Sequence, residues 1–157
     1  NQDQVVYSDP GRYGVLTGKW SPWEQGVRHP RTGEYAAQDG DVVVVTHDHH
    51  YNPDGIRRVA SPDATIVAYE GINADRIDRV DTPIEALPYD TVRVEYGQTI
   101  SRAGIDLETI PAHNHPEGKN LRSDGTPIHP EGFGCGFCFD LDGVVGFWPG
   151  DSDVLDS

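Results

Sequence analysis

Hydrophobic positions along the 157-residue chain come in short, separated runs rather than long stripes. The clearest is Asp41 to Thr46 (DVVVVT), continuous and β-branched, the pattern of a strand buried on both faces. Ala64 to Tyr69 (ATIVAY) has the same character and predicts a second buried strand. Ahead of both, Val5 to Ser8 predicts a short strand stopped by the turn sequence Asp9-Pro10-Gly11. A helical stretch is expected from about Gly55 to Ala60, a turn over SPDAT (61–65), and a short helix near Asn73 to Val80. This order of strands and helices predicts part of an α/β layer.

The second half changes period. Thr91 to Tyr96 (TVRVEY) alternates, Ile105 to Ile110 follows, and a polar loop runs from Pro111 to Pro130. Gly134 to Leu141 and Val144 to Trp148 predict a hairpin around Asp142-Gly143, a good tight-turn pair. Residues 11–40 hold no lasting period and predict a long loop carrying Trp20 and Trp23; such a loop is uncommon unless it covers something. No repeat, low-complexity segment or linker interrupts residues 1–157, so a single domain is expected.

Charge narrows the function classes. Twelve basic against 26 acidic residues leave a net charge of −14 and a pI near 4.6. Such a surface repels phosphate backbones and anionic lipid, so neither nucleic acid nor membrane is an expected partner. The acids are scattered among apolar strands, which keeps a protein soluble. It is also the habit of proteins from salt-loaded cytoplasm, so a halophilic source is a further expectation. No apolar run approaches the ~20 residues of a membrane span, and the start (NQDQVVYSDPG) lacks a secretory pattern, so the expected location is cytoplasmic. The chain begins at Asn1 directly before a strand and reads as cut at both ends.

The chemistry gathers in histidines. His47 and His49 follow the most buried strand two residues apart, so if the strand direction persists their imidazoles point the same way. Two converging imidazoles supply half of a tetrahedral zinc shell, and the carboxyl end of a central strand is where α/β sheets place ligands. His113, His115 and His129 are rivals for a third ligand that spacing alone does not separate. Asp151 in Gly150-Asp151-Ser152-Asp153, again after an apolar strand, offers a carboxylate to a divalent cation. Cys135 and Cys138 sit three apart in an alternating strand, so their thiols point to opposite faces and a redox pair is not expected. Asp140-Leu141-Asp142-Gly143 lacks the remaining ligands of a calcium loop and reads as a turn.

In order along the chain, VVYSDPG at 5–11, VVVVTHDHHYN at 42–52, PAHN at 111–114, HPEG at 129–132 and FWPGDSD at 147–153 resemble the metallo-β-lactamase superfamily. The likeness is closest to its ascorbate-6-phosphate lactonase-like branch, with a haloarchaeal source. There the pattern is a strand, T-H-x-H-x-D-H, a later H-x-x-G loop, and a hairpin ending in G-D-[ST]-D. The resemblance implies an α/β fold, the αββα sandwich of that family, incomplete here: the first strand and the C-terminal part are missing. It makes His47, His49 and His129 the nitrogen ligands of a zinc ion, with manganese or iron as substitutes, and Asp151 the carboxylate that bridges to a second metal and orients the attacking water. The departure lies at Tyr51 and Asn52, where the family has Asp and His. One metal site is thus intact and a second lacks two ligands, unless His50, Asp48 or Asp54 replaces them.

The implied activity is hydrolysis of an ester, lactone, amide or phosphoester by a metal-bound hydroxide, on a small-molecule substrate. A homo-oligomer is compatible with this reading. The alternative is a catalytically degenerate module of the same fold that binds metal or a small ligand without turnover.

Overall fold

Val42, Val43, Val44 and Val45 are all fully buried, and the first sheet is built around them. The computed structural model describes residues 4–11, 36–73 and 82–153. Within these, four parallel strands lie in chain order: β1 (Val6–Ser8), β2 (Gly40–Val45), β3 (Ala60–Tyr69) and β4 (Asp90–Val94). A continuous valine run in a strand flanked on both sides is the expected composition for a sheet covered on both faces.

The connection from β2 to β3 carries a 3₁₀ turn (Asp48–His50) and one short helix, α1 (Pro53–Val59). Asn52 caps α1, its side chain accepting a hydrogen bond from the Gly55 amide at 3.0 Å, and Pro53 opens it where a missing N–H costs nothing. The second sheet is an antiparallel meander of β5 (Thr99–Arg102), β6 (Ile105–Ala112), β7 (Gly134–Leu141) and β8 (Val144–Trp148). Asp142 and Gly143, both at positive φ (56° and 88°), form the β7–β8 turn. One buried cluster takes Val42 to Val45, Ile66 and Val67 from the first sheet and Ile105, Leu107, Cys135, Phe137 and Phe139 from the second. Two sheets packed face to face produce such a core.

Several sequence expectations need correcting. The SPDAT segment is not a turn but the start of β3, which slips register against β2 between Gly40 and Val42. Strand β5 carries no signal, because its four residues (TISR) hold a single apolar side chain and are partly exposed, which is too little for a period. The polar loop begins later than Pro111, since β6 runs through Ala112. The expected helix near Asn73 to Val80 and the Trp20/Trp23 loop fall almost wholly outside the described residues. Among the described residues, no helix is long and apolar enough to cross a membrane.

Candidate metal centre

Strand β2 ends at Val45, and the five residues after it shape the site. Thr46 and His47 continue extended; His47 makes an isolated bridge to Gly134, and the Cys135 amide donates to the Thr46 carbonyl at 3.1 Å. The end of the first sheet is thereby stitched to the start of β7. The approach needs glycine: a Cβ on Gly134 would lie 2.9 Å from the His47 Cβ and 3.0 Å from the Thr46 carbonyl oxygen. The chain then tightens into the 3₁₀ turn, with the His50 amide donating to the His47 carbonyl at 3.1 Å.

The strand direction therefore does not persist past His47, yet His49 still reaches the cluster. His49 Nδ1 lies 3.2 Å from Nε2 of His129, which arrives from the loop before β7. One ring nitrogen from each of His47, His49 and His129 lies within 4.8 Å of the others. Donors about 2.0–2.1 Å from a tetrahedral zinc stand about 3.4 Å apart, so the separation of His49 and His129 suits a shared ion. Phe133 closes one side, its ring centroid 5.2–5.7 Å from those of the three histidines.

Two of the rings are held from behind. Thr46 Oγ1 lies 2.9 Å from His47 Nδ1, and Asn114 Oδ1 lies 2.9 Å from His129 Nδ1, which leaves each Nε2 pointing into the cluster. Such contacts fix tautomer and orientation in histidine metal sites. Asn114 is buried and also accepts from the His129 amide at 3.0 Å, while its Nδ2 donates to the Asp151 carbonyl at 3.2 Å. The sequence reading passed over it; its signal was a buriable Asn beside His113 at the end of an apolar strand. His113 and His115, the rivals of His129, lie away from the cluster. His113 Nδ1 is 3.3 Å from the Asn114 carbonyl, and His115 Nδ1 accepts from the Glu117 amide at 3.1 Å.

Asp151 is half exposed and faces all of this. Its carboxylate oxygens lie 3.8 Å from His47 Nε2, 3.8 Å from His129 Nε2 and 3.6 Å from His50 Nε2. Gly150, at φ +62°, turns the chain here, and a Cβ on it would press on the Thr46 side chain at 3.2 Å.

Of the candidates to replace the missing motif residues, only His50 is at the cluster. Asp48 is buried and turned back to accept from the Asn73 amide at 2.8 Å; Asp54 pairs with Arg58 on α1 at 2.7 Å. Tyr51 is fully buried, its hydroxyl donating to the Thr82 carbonyl at 2.7 Å, and burial pushes that phenol up to about 12.

The electrostatics favour neutral imidazoles. Burial first, and then repulsion from His50, pushes His47 down to about 2. Burial likewise lowers His49 and His129. Neutral imidazole is the form that ligates metals. The fit to a metal also has a direct test in His47 Nε2, the only buried side-chain nitrogen or oxygen among the described residues without a hydrogen-bond partner. A buried polar atom left unpaired costs about 1–3 kcal/mol. Three imidazole nitrogens with a carboxylate beside them form a donor set that zinc prefers.

No family model matches the chain, and no curated protein matches it. Solved structures similar to it include the following two. One, a possible metal-dependent hydrolase from Veillonella parvula DSM 2008, shares 17% identity at a TM-score of 0.48, covering 74% of this chain and 42% of its own. The other, zinc-bound PqqB from Methylobacterium extorquens, shares 15% identity at a TM-score of 0.42, covering 68% of this chain and 37% of its own. The chain thus spans about two fifths of the length of these structures.

Proposed function

We propose that this chain carries the metal centre of a metallo-β-lactamase-type hydrolase acting on an ester, lactone, amide or phosphoester of a small molecule. The observation that carries the reading is the convergence of His49 and His129 on the orphaned, buried Nε2 of His47. His47, His49 and His129 would hold a divalent ion, zinc by donor type, with Asp151 beside it. Such an ion polarises a substrate oxygen and lowers the pKa of a bound water to about 7.

The chain's own residues supply the rest. Thr46 and Asn114 hold two of the imidazoles in the tautomer that presents Nε2. Asp151 is open to solvent on one side and close to the histidines on the other, so it can accept a hydrogen bond from an attacking water and orient it. Phe133 excludes water from one flank of the cluster.

The test is metal content per chain, measured by elemental analysis on protein purified without chelator or affinity nickel, beside His129→Ala and a panel of ester, lactone and phosphodiester substrates. Bound metal that falls sharply in the variant, with turnover in the wild type, is the expected result. A folded wild type that takes up no zinc when it is added back overturns the reading. A second reading, a metal-binding module without turnover, draws on Tyr51 and Asn52, which serve the core and a helix cap. Stoichiometric metal with no hydrolysis across the panel would favour it.

A further inference from the structure

Phe133 stands against all three imidazoles, although it lies between Gly132 and Gly134 in a loop with little stiffness of its own. With a glycine on each side, the place of the ring is set by what the backbone is fastened to. The Phe133 amide donates to the Pro130 carbonyl at 3.0 Å with Gly132 at φ +82°, a type II turn with glycine where that turn requires it. On the far side Gly134 bridges His47. A third tie comes from Tyr96, two residues past the end of β4. Its hydroxyl accepts from the Gly132 amide at 3.0 Å and donates to the Gly134 carbonyl at 2.7 Å. A phenol can fill both roles at once, so one side chain fastens the backbone before and after Phe133.

The first sheet explains why Tyr96 is there. In a parallel sheet the carboxyl ends of neighbouring strands share one edge, so the residues leaving β2, β3 and β4 meet the same loop. His47 follows β2, Tyr69 ends β3, and Tyr96 follows β4. Tyr69 is buried, and its ring stacks on that of Tyr96 with centroids 5.0 Å apart and planes 13° from parallel. Gly71, just past β3, passes so close that a Cβ there would lie 3.1 Å from the Gly132 carbonyl oxygen. The ring of Tyr96 is thus held by packing, which makes its hydroxyl a fixed point for the loop. A phenylalanine at this position would keep the ring and the stack but could form neither hydrogen bond.

We propose that Tyr96 is a positioning residue of the metal centre: its hydroxyl staples the two sides of Phe133 and so keeps that ring against the imidazoles, where it limits the water that reaches a bound ion. The proposal rests on the three-histidine reading for the ion. An apolar wall of this kind governs solvent access and local dielectric at a metal site. Tyr96 acts on that wall and supplies no ligand.

The experiment is a cobalt titration of the chelator-stripped full chain, followed by visible absorption. It is run on wild type, Tyr96→Phe, Phe133→Ala and the double variant, each checked for folding by circular dichroism. Four-coordinate cobalt absorbs far more strongly than five- or six-coordinate cobalt, so band intensity reports water added to the ion. The expected result is equal stoichiometry in all four proteins, a strong band in wild type and a weaker band in each variant. The double variant should match Phe133→Ala, because a residue that acts through Phe133 then has nothing left to act on. A merely structural Tyr96 would lower the urea midpoint and leave the band unchanged.

A Tyr96→Phe band as strong as that of wild type overturns the staple, and so does a further loss of intensity in the double variant. Cobalt lost from Tyr96→Phe but kept by Phe133→Ala also overturns it, since Tyr96 would then act on a ligand instead. A faint band in wild type, or a full one in Phe133→Ala, overturns the wall and leaves the three-histidine site standing. No cobalt in the folded wild type overturns the three-histidine reading and the proposal with it. Hydrogen exchange on the wild type keeps the staple testable if Tyr96→Phe does not fold. The Gly132 amide should exchange slowly, and exchange at the rate of an unprotected amide overturns the staple.

Discussion

Asn114→Ala removes one side chain that ties His129 to Asp151 without itself facing the cluster. Its Oδ1 accepts from the His129 amide at 3.0 Å and lies 2.9 Å from His129 Nδ1, and its Nδ2 donates to the Asp151 carbonyl at 3.2 Å. At about 1 kcal/mol for each such bond, the metal-free chain should lose about 2–3 kcal/mol, read as a shift in its urea midpoint. Zinc affinity should fall separately, by about 10–100-fold, because the imidazole is no longer held in the tautomer that offers Nε2. A competitive chelator titration measures that loss. Asn114→Asp separates positioning from mere stability: it keeps the acceptor for His129 but loses the donor to Asp151. Zinc affinity should recover in Asn114→Asp while the urea midpoint does not. If Asn114→Ala binds zinc as wild type does, or if the two variants lose affinity equally, Asn114 does not position His129.

Four further outcomes are expected. His113→Ala and His115→Ala should retain wild-type zinc stoichiometry, since neither ring reaches the cluster; loss of metal in either would displace His129 as the third ligand. Tyr51→Asp, which restores the residue the family motif carries, should cost about 3–5 kcal/mol for the emptied core site alone and gain no metal; a folded variant with an added equivalent of zinc would refute the core assignment of this position. Thiol titration should find Cys138 reacting slowly in the native chain and Cys135 only in denaturant, because burial raises both thiols and Cys135 is fully enclosed; equal reactivity would count against the packing of β7. Metal-free protein should lose stability as pH falls through about 6.5, where the unfolded chain takes up protons that folded His47, pushed down to about 2, refuses. The slope approaches 1.4 kcal/mol per pH unit from this group alone, with His49 and His129 shifted in the same direction, and urea midpoints that stay flat from pH 7.5 to 5 would contradict it.

The parts of the fold that were legible in the sequence are those where one physical cause dominates. The valines of β2 could only be a strand covered on both faces, and Asp142-Gly143 between two apolar runs could only be a tight hairpin turn. Where two causes compete, the pattern failed. Ser61-Pro62-Asp63 has turn chemistry, yet it is drawn into β3 at the slip in register with β2, where the ladder makes fewer demands. The placement of Asn114 was not legible either, because its three hydrogen bonds reach 15 and 37 residues along the chain, and no local period records such a contact.

The histidine loop shows most directly why a spacing rule has to be tied to a conformation. Period two, continued from β2, puts His47 and His49 on one side and sends His50 to the other. The chain leaves that period at His47, where the bridge to Gly134 ends the strand and the 3₁₀ turn begins. In a 3₁₀ turn residues three apart eclipse, so His50 returns to the side of His47, and their ring centroids stand 4.2 Å apart. The next two residues are then committed elsewhere: Tyr51 enters the core, and Asn52 must be extended with its side chain turned to the Gly55 amide for α1 to start. An Asp and a His at positions 51 and 52 would therefore meet a buried pocket and a helix cap in this backbone, not the histidine cluster. The chain departs from the motif it resembles at the same two positions where the turn has changed which side chains face the cluster, and His50 is the residue that this turn brings beside His47.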